Sequence, residues 1–114
     1  MSYQWNIFWA NLDPARGSEQ AGKRPVLVIS IEEVNQALPI VTVLTITSMK
    51  AGRKIYPIEV LVKAVETGLP QDSIVMTHQI RVISKDRLGD SCGSIQSEAL
   101  KEKIKETVRL YLDL

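Results

Sequence analysis

Pro25-Val26-Leu27-Val28-Ile29-Ser30-Ile31 is a nearly continuous apolar run, rich in β-branched residues. A run of this length between turn-forming residues reads as a strand buried on both faces, and so as the centre of a sheet. Pro25 lacks an N–H and is expected only at the first position of that strand. Upstream, Ile7-Phe8-Trp9-Ala10-Asn11-Leu12 reads as an aromatic strand that stops at the turn starter Asp13-Pro14. Between the two lies a polar loop holding Gly17 and Gly22.

Downstream, Glu32 to Leu38 reads as a turn or one helical turn, stopped by Pro39. Ile40 to Thr47 is strongly β-prone. Lys50-Ala51-Gly52-Arg53-Lys54, three cations without an acid, reads as a solvated hairpin tip or a small phosphate-binding surface. Tyr56 to Val62 is a further strand, Gly68 to Asp72 a loop, and Ser73 to Ile83 strand-like. Ser84 caps a short helical turn, and Gly89 to Gly93 reads as loop. In the last segment Leu100, Ile104, Val108, Tyr111 and Leu112 fall on one face of a 3.6-residue period. Ser97 is its expected N-cap. The chain is thus mainly β with helices (α+β), a small β-barrel covered by a C-terminal amphipathic helix.

The 114 residues fit a single domain, 1–114, long enough to bury a core without disulfides. A composition of 45% apolar and 24% charged residues excludes wholesale disorder. No apolar run approaches the roughly 20 residues that cross a bilayer. The first residues show no basic region followed by an apolar stretch, so no secretory signal is expected. With a single cysteine, Cys92, the expectation is the reducing cytoplasm and no membrane. One Cys and one His cannot alone build a zinc site, and no acidic cluster has ligand spacing, so neither metal nor cofactor is expected. A net charge of +1 points to no partner by itself.

The polar loop, Asp13-Pro14-Ala15-Arg16-Gly17-Ser18-Glu19-Gln20-Ala21-Gly22-Lys23-Arg24-Pro25, is the most informative stretch. By its residues alone it is either a mobile surface connection or a functional loop on a rigid scaffold. Preceded by Ile-Phe-Trp-Ala-Asn-Leu-Asp-Pro, its Gly-Ser-Glu-Gln-x-Gly-x-Arg-Pro motif resembles the MazF/PemK family of toxin endoribonucleases. Ile40 to Ser48, ending in Thr47-Ser48, resembles that family's third strand. Thr77 to Ile83 with Arg87-Leu88 resembles its late strand and turn.

The resemblance implies an SH3-like barrel forming a homodimer. It implies metal-independent cleavage of single-stranded RNA to 2′,3′-cyclic phosphate and 5′-hydroxyl ends. It also implies a cognate antitoxin with a flexible tail. The chain departs from the family at Trp5-Asn6, where many members have Gly-Asp, and at His78, where many have an acid.

Attack by a 2′-OH needs a proton acceptor, charge or hydrogen bonds for the phosphorane oxygens, and a donor to the leaving oxygen. Arg24 matches two phosphate oxygens with its planar guanidinium, and Thr47 and Ser48 offer hydroxyl hydrogens. Taken singly, Arg24 also reads as a surface ion pair with Glu19, and Thr47 as plain β-propensity. His78 is the secondary candidate for the base, or a structural strand residue. The expected RNA contacts are Arg16, Ser18, Glu19 and Gln20 in the loop, Lys50, Arg53 and Lys54 in the basic run, and Gln79 and Arg81 on the late strand. Tyr3, Trp5, Phe8 and Trp9 have rings that can stack on bases, with Phe8 and Trp9 expected rather in the core and dimer interface. The competing readings are a toxin of the same fold that binds a protein such as gyrase, and an RNA binder that does not cut. Arg24 with Thr47-Ser48 favours the nuclease.

Overall fold

A computed structural model describes residues 1–114. The elements are β1 (Asn6–Asn11), β2 (Lys23–Val28), α1 (Glu32–Ala37), β3 (Ile40–Ser48), β4 (Glu59–Val62), α2 (Ala64–Thr67), β5 (Ser73–Ser84), β6 (Leu88–Ser94) and α3 (Glu98–Leu112). A 3-10 turn, Lys85–Arg87, joins β5 to β6, with the Ser84 side chain accepting from the Asp86 N–H.

The six strands form one antiparallel sheet in the order β4-β5-β3-β2-β1-β6. β4 and β6 are its two edges and do not pair, so the sheet is open and barrel-like only loosely. The central run, expected as strand to Ile31, is strand only to Val28, because Ile31 turns out to the surface as the N-cap of α1; up to Val28 it behaves as its composition demands. Val26, Leu27 and Val28 are all fully buried. Strand alternation sends Leu27 to one face, with Ile7, Leu44, Ile46 and Ile104 of α3. It sends Val26 and Val28 to the other, with Phe8, Val41, Val43 and Ile83. The sheet therefore carries a core on each side, and every residue of β2 past Pro25 is apolar for that reason. α3 starts at Ser97, whose hydroxyl accepts from the Leu100 N–H at 3.2 Å. It packs on β4 and β5 through the stripe read from the sequence, although its last turn leaves Tyr111 and Leu112 exposed.

Four further expectations change. Pro25 is the third residue of β2, opposite Trp9. It is tolerated there because the β2–β3 ladder covers only Val26 to Val28 and asks nothing of its missing N–H. Gly89 to Gly93 is strand, not loop: β6 pairs with β1 despite two register shifts. Its sequence lacks β-propensity because it is an edge with little to bury. The basic run is no hairpin tip, since β3 pairs with β5 and the run crosses over to β4 on the far side. Tyr56 to Ile58 precede β4 as a turn, with the Glu59 N–H donating to the Tyr56 carbonyl.

Candidate active site

Where the β2–β3 ladder stops at Val26, the two strands diverge. Lys23, Arg24 and Pro25 form one wall of the resulting cleft, and Ile46, Thr47 and Ser48 the other. Trp9 of β1 and Leu69, Pro70, Gln71 and Ser73 complete a space of about 220 Å³. Arg24 and the consecutive pair Thr47-Ser48, remote from it along the chain, thus line one cleft. Alternation turns Thr47 and Ser48 to opposite sides of the sheet at the end of β3, and both line the cleft. His78 does not line it.

Arg24 donates from Nε to the Ala21 carbonyl at 3.2 Å and has no carboxylate within ion-pair distance. Glu19, its expected alternative partner, instead accepts from the Arg16 backbone N–H at 2.5 Å. The terminal guanidinium nitrogens of Arg24 remain free for a ligand. No carboxylate or imidazole lines the cleft, so two cations, Lys23 and Arg24, face an otherwise neutral surface with hydroxyls at hand. Such a surface holds an anion.

The loop from β1 to β2 is ordered by its own sequence. At its neck the Leu12 N–H donates to the Gly22 carbonyl at 2.8 Å, and the Gly22 N–H donates to the Asp13 carboxylate at 2.9 Å. Arg87 donates to the Asn11 and Asp13 carbonyls at 3.1 and 2.6 Å. At its tip Gln79 accepts from the Gln20 N–H and donates to the Ser18 carbonyl. Arg16, Ser18 and Glu19 are exposed, and Gln20 is half-buried.

Gln79 reaches the loop from a bulge: four residues of β5, Thr77 to Ile80, stand opposite the single Leu44. Thr77 anchors the bulge, its N–H and hydroxyl both donating to the Ile58 carbonyl. His78 Nδ1 is buried without a partner, and so is one Nη of the half-buried Arg81. The imidazole lies close enough to help hold down the proton affinity of Glu59.

Glu59 is almost wholly buried and takes both terminal nitrogens of Arg53 at 3.0 and 2.9 Å, with the Tyr56 N–H at 3.0 Å. The Arg53 hydrogen bonds depress its pKa against the opposing effect of burial, and the same bonds raise that of Arg53. Arg53, expected on RNA, is therefore committed to the fold, and Gln79 to the loop; Lys50 and Lys54 stay exposed. Sequence reasoning missed Trp9 and Lys23 as cleft residues. Lys23 was open to the same reading as its neighbour Arg24. Gln71 and Ser73 carry no local signal, since only the fold brings them there, Ser73 through its register with Ser48.

No group of three or more His, Cys, Asp and Glu side chains gathers as a metal site. No helix is long and apolar enough to cross a membrane.

The profile described as "PemK-like, MazF-like toxin of type II toxin-antitoxin system" matches residues 3–112. Endoribonuclease MazF9 of Mycobacterium tuberculosis is 36% identical over 119 residues, covering 100% of this chain and 98% of that protein. Endoribonuclease EndoA of Bacillus subtilis is 36% identical over 109 residues, covering 96% and 92%. Among solved structures, MazF from Deinococcus radiodurans superposes with a TM-score of 0.81 at 23% identity, covering 98% of this chain and 96% of that one. An endoribonuclease from mycobacterial species, solved in complex with its cognate antitoxin, superposes with a TM-score of 0.79 at 22% identity, covering 100% and 97%. At these identities the two structures speak to the fold.

Proposed function

The chain belongs to the PemK-like, MazF-like toxin family of type II toxin–antitoxin systems, and on that premise we propose that it is an endoribonuclease cutting single-stranded RNA in the Arg24 cleft. The observation that carries the reading is the Arg24 guanidinium, free of any carboxylate and set beside Thr47 and Ser48. Relatives named endoribonucleases support it.

The reaction is an internal transfer. The 2′-oxygen forms a bond to phosphorus and the bond from phosphorus to the 5′-oxygen breaks, while the 2′-OH proton passes to solvent water and the 5′-oxygen takes one from it. The products are a 2′,3′-cyclic phosphate and a 5′-hydroxyl. Negative charge develops on the non-bridging oxygens, where Arg24 and Lys23 stabilise it and the hydroxyls of Thr47 and Ser48 donate hydrogen bonds. The 12–22 loop, pinned by Gln79, holds the RNA strand over the cleft. Because no carboxylate or imidazole lines the cleft, charge stabilisation carries most of the rate.

The partner is a cognate antitoxin, as in the mycobacterial complex, whose flexible tail would compete with RNA for the same cations. The assembly is a homodimer that covers apolar side chains left exposed on the monomer, among them Val34, Leu38, Ile40 and Val82. Incubation of the purified protein with single-stranded RNA in excess EDTA, followed by end-group analysis, tests the reaction. Fragments with cyclic phosphate and 5′-hydroxyl ends are expected. Intact RNA, or cutting that returns only with added Mg²⁺, would refute it.

A further inference from the structure

Trp9 is the one β1 aromatic kept out of the core: Phe8 is 1% exposed and Trp9 44%. Its position separates two spaces. On one side is the Arg24 cleft. On the other a wider cleft of about 600 Å³ runs along β1 and β6. Trp9 and Lys23 line both. An indole and an ammonium side by side, between an anion-binding cleft and a second polar one, match one nucleotide step of a single strand: a base to stack and a phosphate to neutralise.

We propose that Trp9 is the stacking platform for the nucleobase next to the scissile phosphate, and that the second cleft reads that base's edge. This rests on the RNA-cleaving reading above. The second cleft offers a specific set of polar groups. The Asn11 side-chain oxygen accepts from the Asp13 N–H at 3.1 Å, which leaves its amide hydrogens to donate. The Arg87 guanidinium already donates to the Asn11 and Asp13 carbonyls. Asp86 and Asp90 both line the cleft, are exposed and have no cationic partner, and Asp90 lies on β6 itself. A free carboxylate accepts from an exocyclic amino group, so cytosine, adenine or guanine is favoured at this position over uracil. Trp9, expected in a dimer interface, is in this assignment a substrate residue.

The experiment uses the full chain carrying Trp5→Phe, which leaves Trp9 as the only tryptophan. A single-stranded oligonucleotide without 2′-hydroxyls binds but cannot react. Its titration is expected to quench Trp9 emission saturably. In the cleavage assay Trp9→Ala should raise KM roughly 10- to 100-fold, the loss typical of one stacked base. Trp9→Phe should recover most of it, and Asp90→Asn should relax the discrimination against uracil. Unquenched emission in a complex shown to be saturated by anisotropy would overturn the proposal, as would an unchanged KM in Trp9→Ala. A wild-type protein that neither binds nor cuts RNA would instead remove the reading on which it rests, and the proposal with it.

Discussion

The side chain of Gln79 accepts a hydrogen bond from the backbone N–H of Gln20 at 3.3 Å, across 59 residues of sequence. Its amide nitrogen donates to the Ser18 carbonyl at 3.1 Å, so one carboxamide closes the loop onto the sheet. The β5 bulge sets it there, and no regular strand would. Gln79→Ala is expected to free the loop tip. Two neutral hydrogen bonds amount to about 1–3 kcal/mol, so KM should rise about tenfold or more while the fold persists. Faster amide exchange at residues 16–21 with an unchanged melting temperature checks this. Unaltered exchange would show that the loop is held elsewhere.

Glu32 ties the N-terminus to α1. Its carboxylate accepts from the Tyr3 N–H at 3.1 Å, the Gln4 N–H at 2.9 Å and the Gln36 amide at 2.8 Å. Burial raises its pKa, but these bonds outweigh it and bring the group from 4.5 to about 2. The folded carboxyl therefore binds its proton less readily than the unfolded one. Its stabilisation is complete above the unfolded value and is lost as pH falls through 4.5 toward 2. Glu32→Gln should lower stability by about 1–3 kcal/mol at pH 7. The two proteins should converge in stability only as pH falls to about 2. A gap independent of pH would contradict this.

Gly93 lies where β6 passes under α2. A Cβ at this position would stand 2.6 Å from the Thr67 carbonyl oxygen, which is backbone and cannot swing aside. Gly93→Ala is expected to destabilise the protein by about 1–3 kcal/mol. Thermal unfolding within about 0.5 kcal/mol of the parent, the range of a neutral surface change, would show that the contact relaxes freely.

His78 does not line the Arg24 cleft, and its Nδ1 is buried without a partner. A general base would cost about 10²–10⁴-fold in rate on removal. His78→Gln is expected to lose far less and to register in the melting temperature, through the Arg53–Glu59 pair it neighbours. A hundredfold rate loss in a protein of unchanged melting temperature would return His78 to the reaction.

Much of this was legible in residues 25–31 and 97–112. An apolar run with no polar alternation has to lie between two cores, and Ser97 with a 3.6-residue stripe has to begin and orient a helix. Arg24 and Thr47-Ser48 were legible as chemistry because each stands at the end of a strand beside a recognisable motif. The rest depended on pairing. Nothing in Leu88 to Ser94 favours a strand until β1 offers an edge. Four residues opposite Leu44 appear only once β3 and β5 are in register, and that bulge brings Gln79 to the loop. Arg53 read as a free cation because the carboxylate that holds it, Glu59, is buried by a strand. Pro25 was placed at a strand start by a rule about ladders, yet only one of its two ladders needed to end there.

In the function proposed for this chain, RNA cutting in the cleft opened between β2 and β3 depends on Arg24. That dependence is tested most directly by the single-turnover rate of single-stranded RNA cleavage in EDTA, wild type against Arg24→Ala. Arg24 is half-buried at the cleft rim and bonded only to a loop carbonyl, so the variant should melt like the parent. Loss of the guanidinium should slow the reaction by about 10²–10³-fold, as removal of one preorganised donor to a developing charge does. A folded Arg24→Ala protein that cuts at the wild-type rate would contradict the account.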